Sequence, residues 1–356
     1  MELNTKITIE SKKEILVSII ITCYNHEKYL VECLKSVFTQ NYENFEVIIR
    51  DDGSTDKSVE LIQSFLDDSN NTFSKPCFFE HGVNIGLVKS LNSILKKAKG
   101  EIIIFCSTDD LFLENRISKA VEIHLQYPNI EFVAFNAIVI DDIGTVIHPT
   151  FYHQYTKNSE IEIYESLNYK KTIGTHFGGF GITIKKNFLK QLNFQLPETL
   201  SFEDGYMSFL ALINNGAIKV NSIFMKYRRA TNSLSRGNTS LNQSEILTNE
   251  KKFLKLFLSL DEHKLMYIMD NCSTNSIVLS NKNNIINLLK QKILCLKIKI
   301  SILENRKKIF IWLNLLWLIL IGVKSRYTIK ILVISFFNQT LINQMVKDNK
   351  NRSKIL

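Results

Sequence analysis

Along the first 140 positions the hydrophobic residues alternate between two periods. Ile15–Cys23, Phe45–Ile49, Phe78–Glu80, Glu101–Cys106 and Phe132–Ile140 are short, dominantly apolar runs and predict buried strands. Between them the apolar residues recur at helical spacing. Leu30, Cys33, Leu34, Val37 and Phe38 do so within Glu27–Thr39, and Val59, Ile62, Phe65 and Leu66 within Asp56–Asp67. Two further helices are predicted over Leu87–Lys99, ended by Gly100, and over Arg116–Tyr127, stopped by Pro128. Strands alternating with helices of this length imply an α/β fold with a mostly parallel sheet and right-handed crossovers.

Past Ile140 the alternation degrades. Asp141–Ser159 reads as loop, and Thr172–Thr183 contains the glycine-rich run GTHFGGFG. Helical patterning returns over Gly205–Asn214, followed by a strand-like Ile218–Tyr227 and by helical Lys251–Met269 and Asn284–Leu303. The expected organisation is an α/β domain over 1–240 and a helical, basic region over 241–356. Within the latter, the 15 residues Ile309–Val323 are apolar and bracketed by Arg306, Lys307 and Lys308 and by Lys324 and Arg326. A helix that spans a bilayer needs roughly 20 such residues. This stretch and the shorter Ile329–Phe337 therefore predict interfacial helices with snorkelling cations, the alternative being a packed helical hairpin at a homodimer interface.

A chain of 356 residues with 45% apolar residues, four Pro and thirteen Gly excludes disorder, collagen and low-complexity classes. The net charge of +9 is unevenly spread. Residues 291–356 hold thirteen Lys or Arg against Glu304 and Asp348, a balance of +11, which leaves −2 for residues 1–290. The basicity belongs to the tail, and no nucleic-acid partner is expected. Cys23, Cys33, Cys77, Cys106, Cys272 and Cys295 lack metal-ligand spacing and read as free thiols of a reducing compartment. The polar N-terminus MELNTKITIESKKE has no signal-peptide core, so the catalytic part is expected in the cytoplasm.

Chemistry concentrates where strands end. The run EIIIFCSTDDLF stops an apolar strand at Asp109 and Asp110, and adjacent carboxylates repel one another unless a hard divalent cation, Mg²⁺ or Mn²⁺, lies between them and a substrate's phosphates. A polar turn with Asn115 capping the next helix is the alternative. The second strand ends in Asp51-Asp52-Gly53-Ser54-Thr55-Asp56, where a carboxylate can accept hydrogen bonds from a base or ribose and Asp56 can cap a helix. The first ends in Thr22-Cys23-Tyr24-Asn25. Three strands thus deliver polar groups to one rim.

These segments, IIITCYNHEKYLVECLKSVFTQNYENFEVIIRDDGSTDKS, NIGLVKSLN and GEIIIFCSTDD, resemble in order and spacing the family 2 glycosyltransferases of the GT-A fold. The likeness is specific from Val17 to about Phe112 and looser to about Ser235. It implies a Rossmann-like sheet flanked by helices, with the C-terminal helical extension outside the resemblance. It also implies donor contacts from Thr22, Tyr24, Asn25, Asp51, Asp52, Asn84 and Asp109, and a metal ligand in Asp110. Gly86 and Asn92 match the family's loop and helix before the acidic motif. Leu91 stands where many members carry Arg, and Lys89 is a candidate to supply that charge.

The resemblance further places the catalytic base in Glu203-Asp204 before a helix, with Asp204 preferred and Glu203 second. Inverting transfer needs a carboxylate opposite the leaving nucleoside diphosphate to take the acceptor's proton. Tyr227-Arg228-Arg229-Ala230-Thr231-Asn232-Ser233-Leu234-Ser235 resembles the family's YRxHxxSxS lid stretch with Ala230 replacing His, so a metal or diphosphate contact of that His would pass to Arg228, Arg229 or a water. Neutralising the diphosphate is the expected role of the two Arg, with surface basicity the alternative for Arg229. His26, His124, His153 and His176 share no metal-binding spacing. His124 reads as an ordinary helix residue, and His176 in the glycine-rich run as a residue within reach of an acceptor.

The function expected is inverting, metal-dependent transfer of a sugar from a nucleoside diphosphate sugar, UDP above all, to a hydroxyl of a lipid-linked or polysaccharide acceptor. Capsule or O-antigen assembly at the inner face of the plasma membrane is the expected setting. The alternatives are nucleotidyl or phosphoryl transfer and a catalytically idle sugar-nucleotide-binding or scaffolding protein.

Overall fold

Each apolar run of the first half becomes a strand of one mixed sheet. The computed structural model describes residues 15–72, 75–152, 160–164, 177–229, 243–271 and 276–304. They fall into two compact units divided between Asn238 and Thr239.

In the first unit the strands are β1 (Val17–Cys23), β2 (Phe45–Asp51), β3 (Cys77–His81), β4 (Ile102–Ser107), β5 (Leu111–Phe112), β6 (Phe132–Ile140), β7 (Val146–His148), β8 (Ile161–Tyr164), β9 (Ile182–Lys185) and β10 (Ala217–Arg228). Their order in space is β3-β2-β1-β4-β9-β6-β10-β5, with β7 paired to β6 and β8 to β10. The helices are α1 (Leu30–Phe38), α2 (Ser58–Thr72), α3 (Leu87–Leu95), α4 (Arg116–Gln126), α5 (Lys186–Lys190) and α6 (Asp204–Asn214).

β1, β2 and β4 pair in parallel and are apolar on both faces because helices cover both. Val17, Ile19, Ile21, Val47, Ile49, Ile102 and Ile104 join Leu30, Leu34 and Val37 of α1 in the core. Burying each such side chain contributes roughly 1.5–3 kcal/mol. A polar group inside this part of the core is paired: the Ser18 hydroxyl donates to Glu46 at 2.6 Å and accepts the Gly100 N–H at 2.8 Å.

The second half departs from simple alternation. β9 inserts antiparallel between β4 and β6. β6 is parallel to β10, while β5, β7 and β8 add short antiparallel pairings. β5, β7, β8 and β9 have only two to four residues, too few for a period to declare itself. β7 accordingly falls inside the stretch expected to be loop. His124 is fully buried in α4, and its Nε2 lies 2.9 Å from the Thr183 hydroxyl of β9, as a core histidine does.

The second unit contains α7 (Gln243–Asn271) and α8 (Ser276–Leu303). Leu260, Ile268, Ile285, Leu289 and Ile293 are buried, and Lys297–Glu262 and Lys255–Glu304 ion pairs bridge the two helices at 2.9 and 3.2 Å. Among the described residues no helix is long and apolar enough to cross a membrane. The apolar stretches 309–323 and 329–337 lie outside the described residues. The cysteines among the described residues, Cys23, Cys33, Cys77, Cys106 and Cys295, are free thiols. Burial pushes the thiols of Cys23 and Cys77 up to about 12, which keeps them unreactive.

Candidate active site

Strand register decides which residues share the rim. Thr22 of β1 pairs with Arg50 of β2 on one side and with Ser107 of β4 on the other. The chain therefore leaves all three strands at one edge, through Tyr24, Asp52 and Thr108. β2 and β3 lie to one side of β1 and β4 to the other, so this edge is where strand order reverses, the crevice in which open α/β sheets hold ligands.

The loops at this edge interlock. Asn25, left-handed at φ 56°, donates its N–H to the Ser54 hydroxyl at 2.8 Å and accepts the Thr55 N–H at 2.8 Å. Asp51 is fully buried and accepts the N–H groups of Gly53 and Ser54 and the Ser54 hydroxyl, so its carboxylate shapes the turn. Asp52 accepts the N–H groups of Ile85 and Gly86 at 2.8 and 2.9 Å, which pins the loop carrying Asn84 against it. Asn84 accepts the Gly86 N–H at 3.2 Å, while Asn92 exchanges two hydrogen bonds of 2.8 Å with the backbone of Leu196. Tyr24 and Lys89 are exposed. The Thr22 carbonyl accepts the Thr108 N–H at 3.3 Å, and the Thr108 hydroxyl lies 2.7 Å from His26 Nδ1.

Asp109 and Asp110 sit beside this crevice, only 8% and 2% exposed. Burial and then the neighbouring Asp109 push the Asp110 carboxyl well above the usual carboxylate range, and the Arg228 N–H, donating to its Oδ1 at 2.9 Å, only partly offsets that. A divalent cation would favour the ionised form. Among the described residues no three His, Cys, Asp or Glu converge as a complete ligand set. The donors present are hard oxygens and few, which fits a cation such as Mg²⁺ or Mn²⁺ that keeps waters and substrate phosphates in its shell.

Arg228 closes β10 and spends its donors on the chain itself. Nε bonds the Asp109 carbonyl at 2.9 Å, Nη1 the carbonyls of Asp141 and Asp142 at 3.0 and 3.2 Å, and Nη2 the Glu32 carboxylate at 3.1 Å. The guanidinium lies 4.6 Å from the centre of the Tyr29 ring. Arg229 lies 5.8 Å over the Phe151 ring.

Glu203 precedes α6 and Asp204 opens it, where the helix N-terminus favours negative charge. Asp204 Oδ2 accepts the N–H of Gly179 at 3.2 Å, and Glu203 is buried beside the same glycine. Gly179 belongs to a 3₁₀ turn, Gly179–Gly181, whose Phe180 ring stacks on Tyr227 at 4.5 Å. The preceding Gly178 N–H donates to the Tyr152 hydroxyl at 3.0 Å, and burial raises that phenol's pKa. Consecutive residues of β10 thus reach both carboxylate centres, Tyr227 through the turn that bonds Asp204 and Arg228 through Asp109 and Asp110.

Sequence reasoning missed Gly179, Thr108, Tyr152 and the Arg228 partners Glu32 and Tyr29, and set His26 aside as a metal ligand. The glycine-rich run was the only signal for Gly179. The others depend on contacts between distant segments. His153, His176, Ala230, Ser233 and Ser235 lie outside the described residues.

The family profile described as Glycosyl transferase family 2 matches residues 18–192. Glycosyltransferase GlyA of Streptococcus pneumoniae serotype 4 is 26% identical over 227 residues, covering 62% of this chain but only 31% of that protein. Among solved structures, S. aureus TarS 1–349 in complex with UDP-GlcNAc superposes with a TM-score of 0.55 at 18% identity, over 78% of this chain and 72% of that one. The mannosyltransferase PcManGT of Pyrobaculum calidifontis, in complex with GDP-Man and Mn²⁺, gives 0.54 at 14% identity over 93% and 84%. At these identities the likeness is one of fold.

Proposed function

Because this chain is a family 2 glycosyltransferase whose residues 18–192 match the family's domain, we propose that it transfers a sugar with inversion from a UDP-sugar to a hydroxyl of a lipid-linked or polysaccharide acceptor. One observation carries this reading: two separate carboxylate centres, Asp109-Asp110 and Asp204, are tied together through adjacent residues of β10 at the ligand-binding edge of the sheet.

Asp52 and the loop bearing Asn84 would receive the nucleoside, with Thr22, Tyr24 and Asn25 lining the same crevice. Asp110, with Asp109 on the donor side, would hold Mn²⁺ or Mg²⁺, which when bound neutralises charge developing on the leaving diphosphate. The acceptor oxygen bonds to the anomeric carbon as the bond to the diphosphate oxygen breaks, the electron pair leaves with UDP, and the acceptor proton passes to Asp204. Asp204 suits this work because the Gly179 N–H and the helix N-terminus hold its carboxylate in place, whereas Glu203 is more deeply buried. Bacterial surface glycans such as capsule or O-antigen are the acceptor class we favour, with the basic tail holding the enzyme at the inner face of the membrane.

The test is product analysis across a panel of sugar nucleotides. Free UDP is expected, whereas UMP or pyrophosphate would show nucleotidyl transfer instead. Asp204→Asn should lower turnover by roughly 10²-fold or more with donor affinity nearly unchanged. Asp110→Ala should abolish turnover and the Mn²⁺-dependent part of donor binding. Full activity in EDTA would overturn the metal's role.

A further inference from the structure

Arg228 is 2% exposed, and its guanidinium faces main-chain carbonyls from two separate loops, Asp109 on one side and Asp141 and Asp142 on the other. Its own N–H holds one oxygen of Asp110. Tyr29, just before α1, lies against the guanidinium and donates its hydroxyl to Asp142 at 2.8 Å, and Glu32 of α1 closes the remaining edge. A cation aimed at a diphosphate would present its fork outward. This one ties the turn that carries the acid pair to the Asp141-Asp142 backbone and to side chains at the start of α1.

We propose that Arg228 is a positioning residue, a clamp that fixes the Asp109-Asp110 turn against the end of β10 so that the two carboxylates stand ready for a divalent cation, and that it makes no contact with the donor's diphosphate. The inference rests on the reading of Asp109 and Asp110 as the cation site. Asp110 Oδ1 is occupied by the Arg228 N–H, so the direction of the carboxylate depends on where β10 ends. Fixing the Asp109 carbonyl through Nε holds the peptide unit between the two acids. Groups that orient metal ligands in this way typically change metal affinity about 10–100-fold when removed. Lys cannot replace the clamp, because one ammonium group cannot reproduce a planar fork spread over Asp109, Asp141, Asp142 and Glu32.

The experiment measures UDP binding by calorimetry, with Mn²⁺ and in EDTA, for the full chain and for Arg228→Lys. The clamp predicts that UDP affinity in EDTA stays within about twofold of the unsubstituted protein while the enhancement by Mn²⁺ drops about tenfold or more. An equal fall under both conditions overturns the proposal, since that is the signature of a lost contact to the diphosphate. An undiminished Mn²⁺ enhancement overturns it as well. An unsubstituted protein whose UDP binding ignores Mn²⁺ removes the cation-site reading itself, a result distinct from either. If Arg228→Lys does not fold, Tyr29→Leu removes the ring against the guanidinium together with the hydroxyl bond to Asp142, and about a threefold loss of the Mn²⁺ enhancement is expected. No loss in that variant also counts against the clamp.

Discussion

Asp204 and Gly179 are joined by a hydrogen bond from the glycine N–H to the carboxylate at 3.2 Å, and a side chain at the glycine would crowd both acids. A Cβ there would stand 3.0 Å from Glu203 Oε1 and 3.4 Å from Asp204 Cβ. Gly179→Ala should therefore displace the acid pair while sparing the crevice where the donor nucleoside would bind. The expected result is a roughly tenfold or greater fall in kcat with the donor KM little changed, because small misplacements of a reacting group are costly. A donor KM that rises in proportion would place the turn in the nucleotide site instead.

Gly53 is a second position where backbone decides function. Its φ of +77° disfavours any side chain, and a Cβ would lie 2.5 Å from the Asn84 N atom. Gly53→Ala should cost about 1–3 kcal/mol and lower Tm by several degrees. It should also weaken UDP binding, because the turn at Gly53 and the loop held by Asp52 meet there. Unchanged UDP affinity would show that this loop does not line the donor site.

The first-half strands were legible because apolar runs fully covered by helices leave a strong signal, as in β2 and β4. Asp51 ends β2 and accepts from its own turn at Gly53 and Ser54, whereas Asp52, just beyond the strand, accepts from the remote loop at Ile85 and Gly86, a contact between distant segments that the adjacent acids do not announce. Arg228 was legible as a cation beside the site and not as a clamp, because its partners Glu32, Asp109 and Asp141 are remote from it in the chain. β9 escaped notice because ITIK is four residues long and its pairing with β4 and β6 is long-range.

The tail makes a separate prediction. Residues 309–323 are apolar and flanked by cations on both sides, and each Lys or Arg near an anionic surface adds on the order of 1 kcal/mol to binding. The full chain should sediment with vesicles containing anionic lipid, and less so in high salt. A chain truncated after Glu304 should stay in the supernatant and still turn over donor. Indifference of the full chain to anionic vesicles, or unfolding of the truncated one, would favour a hairpin packed in the protein's own core or dimer interface.

His124 gives a pH dependence of known sign. Burial, followed by the nearby charges of Lys185 and Arg116, holds its imidazole down at about 3, whereas an unfolded chain titrates it near 6.5. Between these values the unfolded state binds the extra proton, so stability rises with pH and is lost as pH falls from about 6.5 toward 3. Lowering the pH from 7 to 5 should remove about 2 kcal/mol through this residue alone. His124→Gln retains a polar group for Thr183 without the titration. Its urea-unfolding free energy relative to the unsubstituted protein should therefore improve by about that amount between pH 7 and 5. A difference between the two proteins that stays constant with pH would mean that the folded state admits the proton, and that His124 is less sealed than its place between α4 and β9 implies.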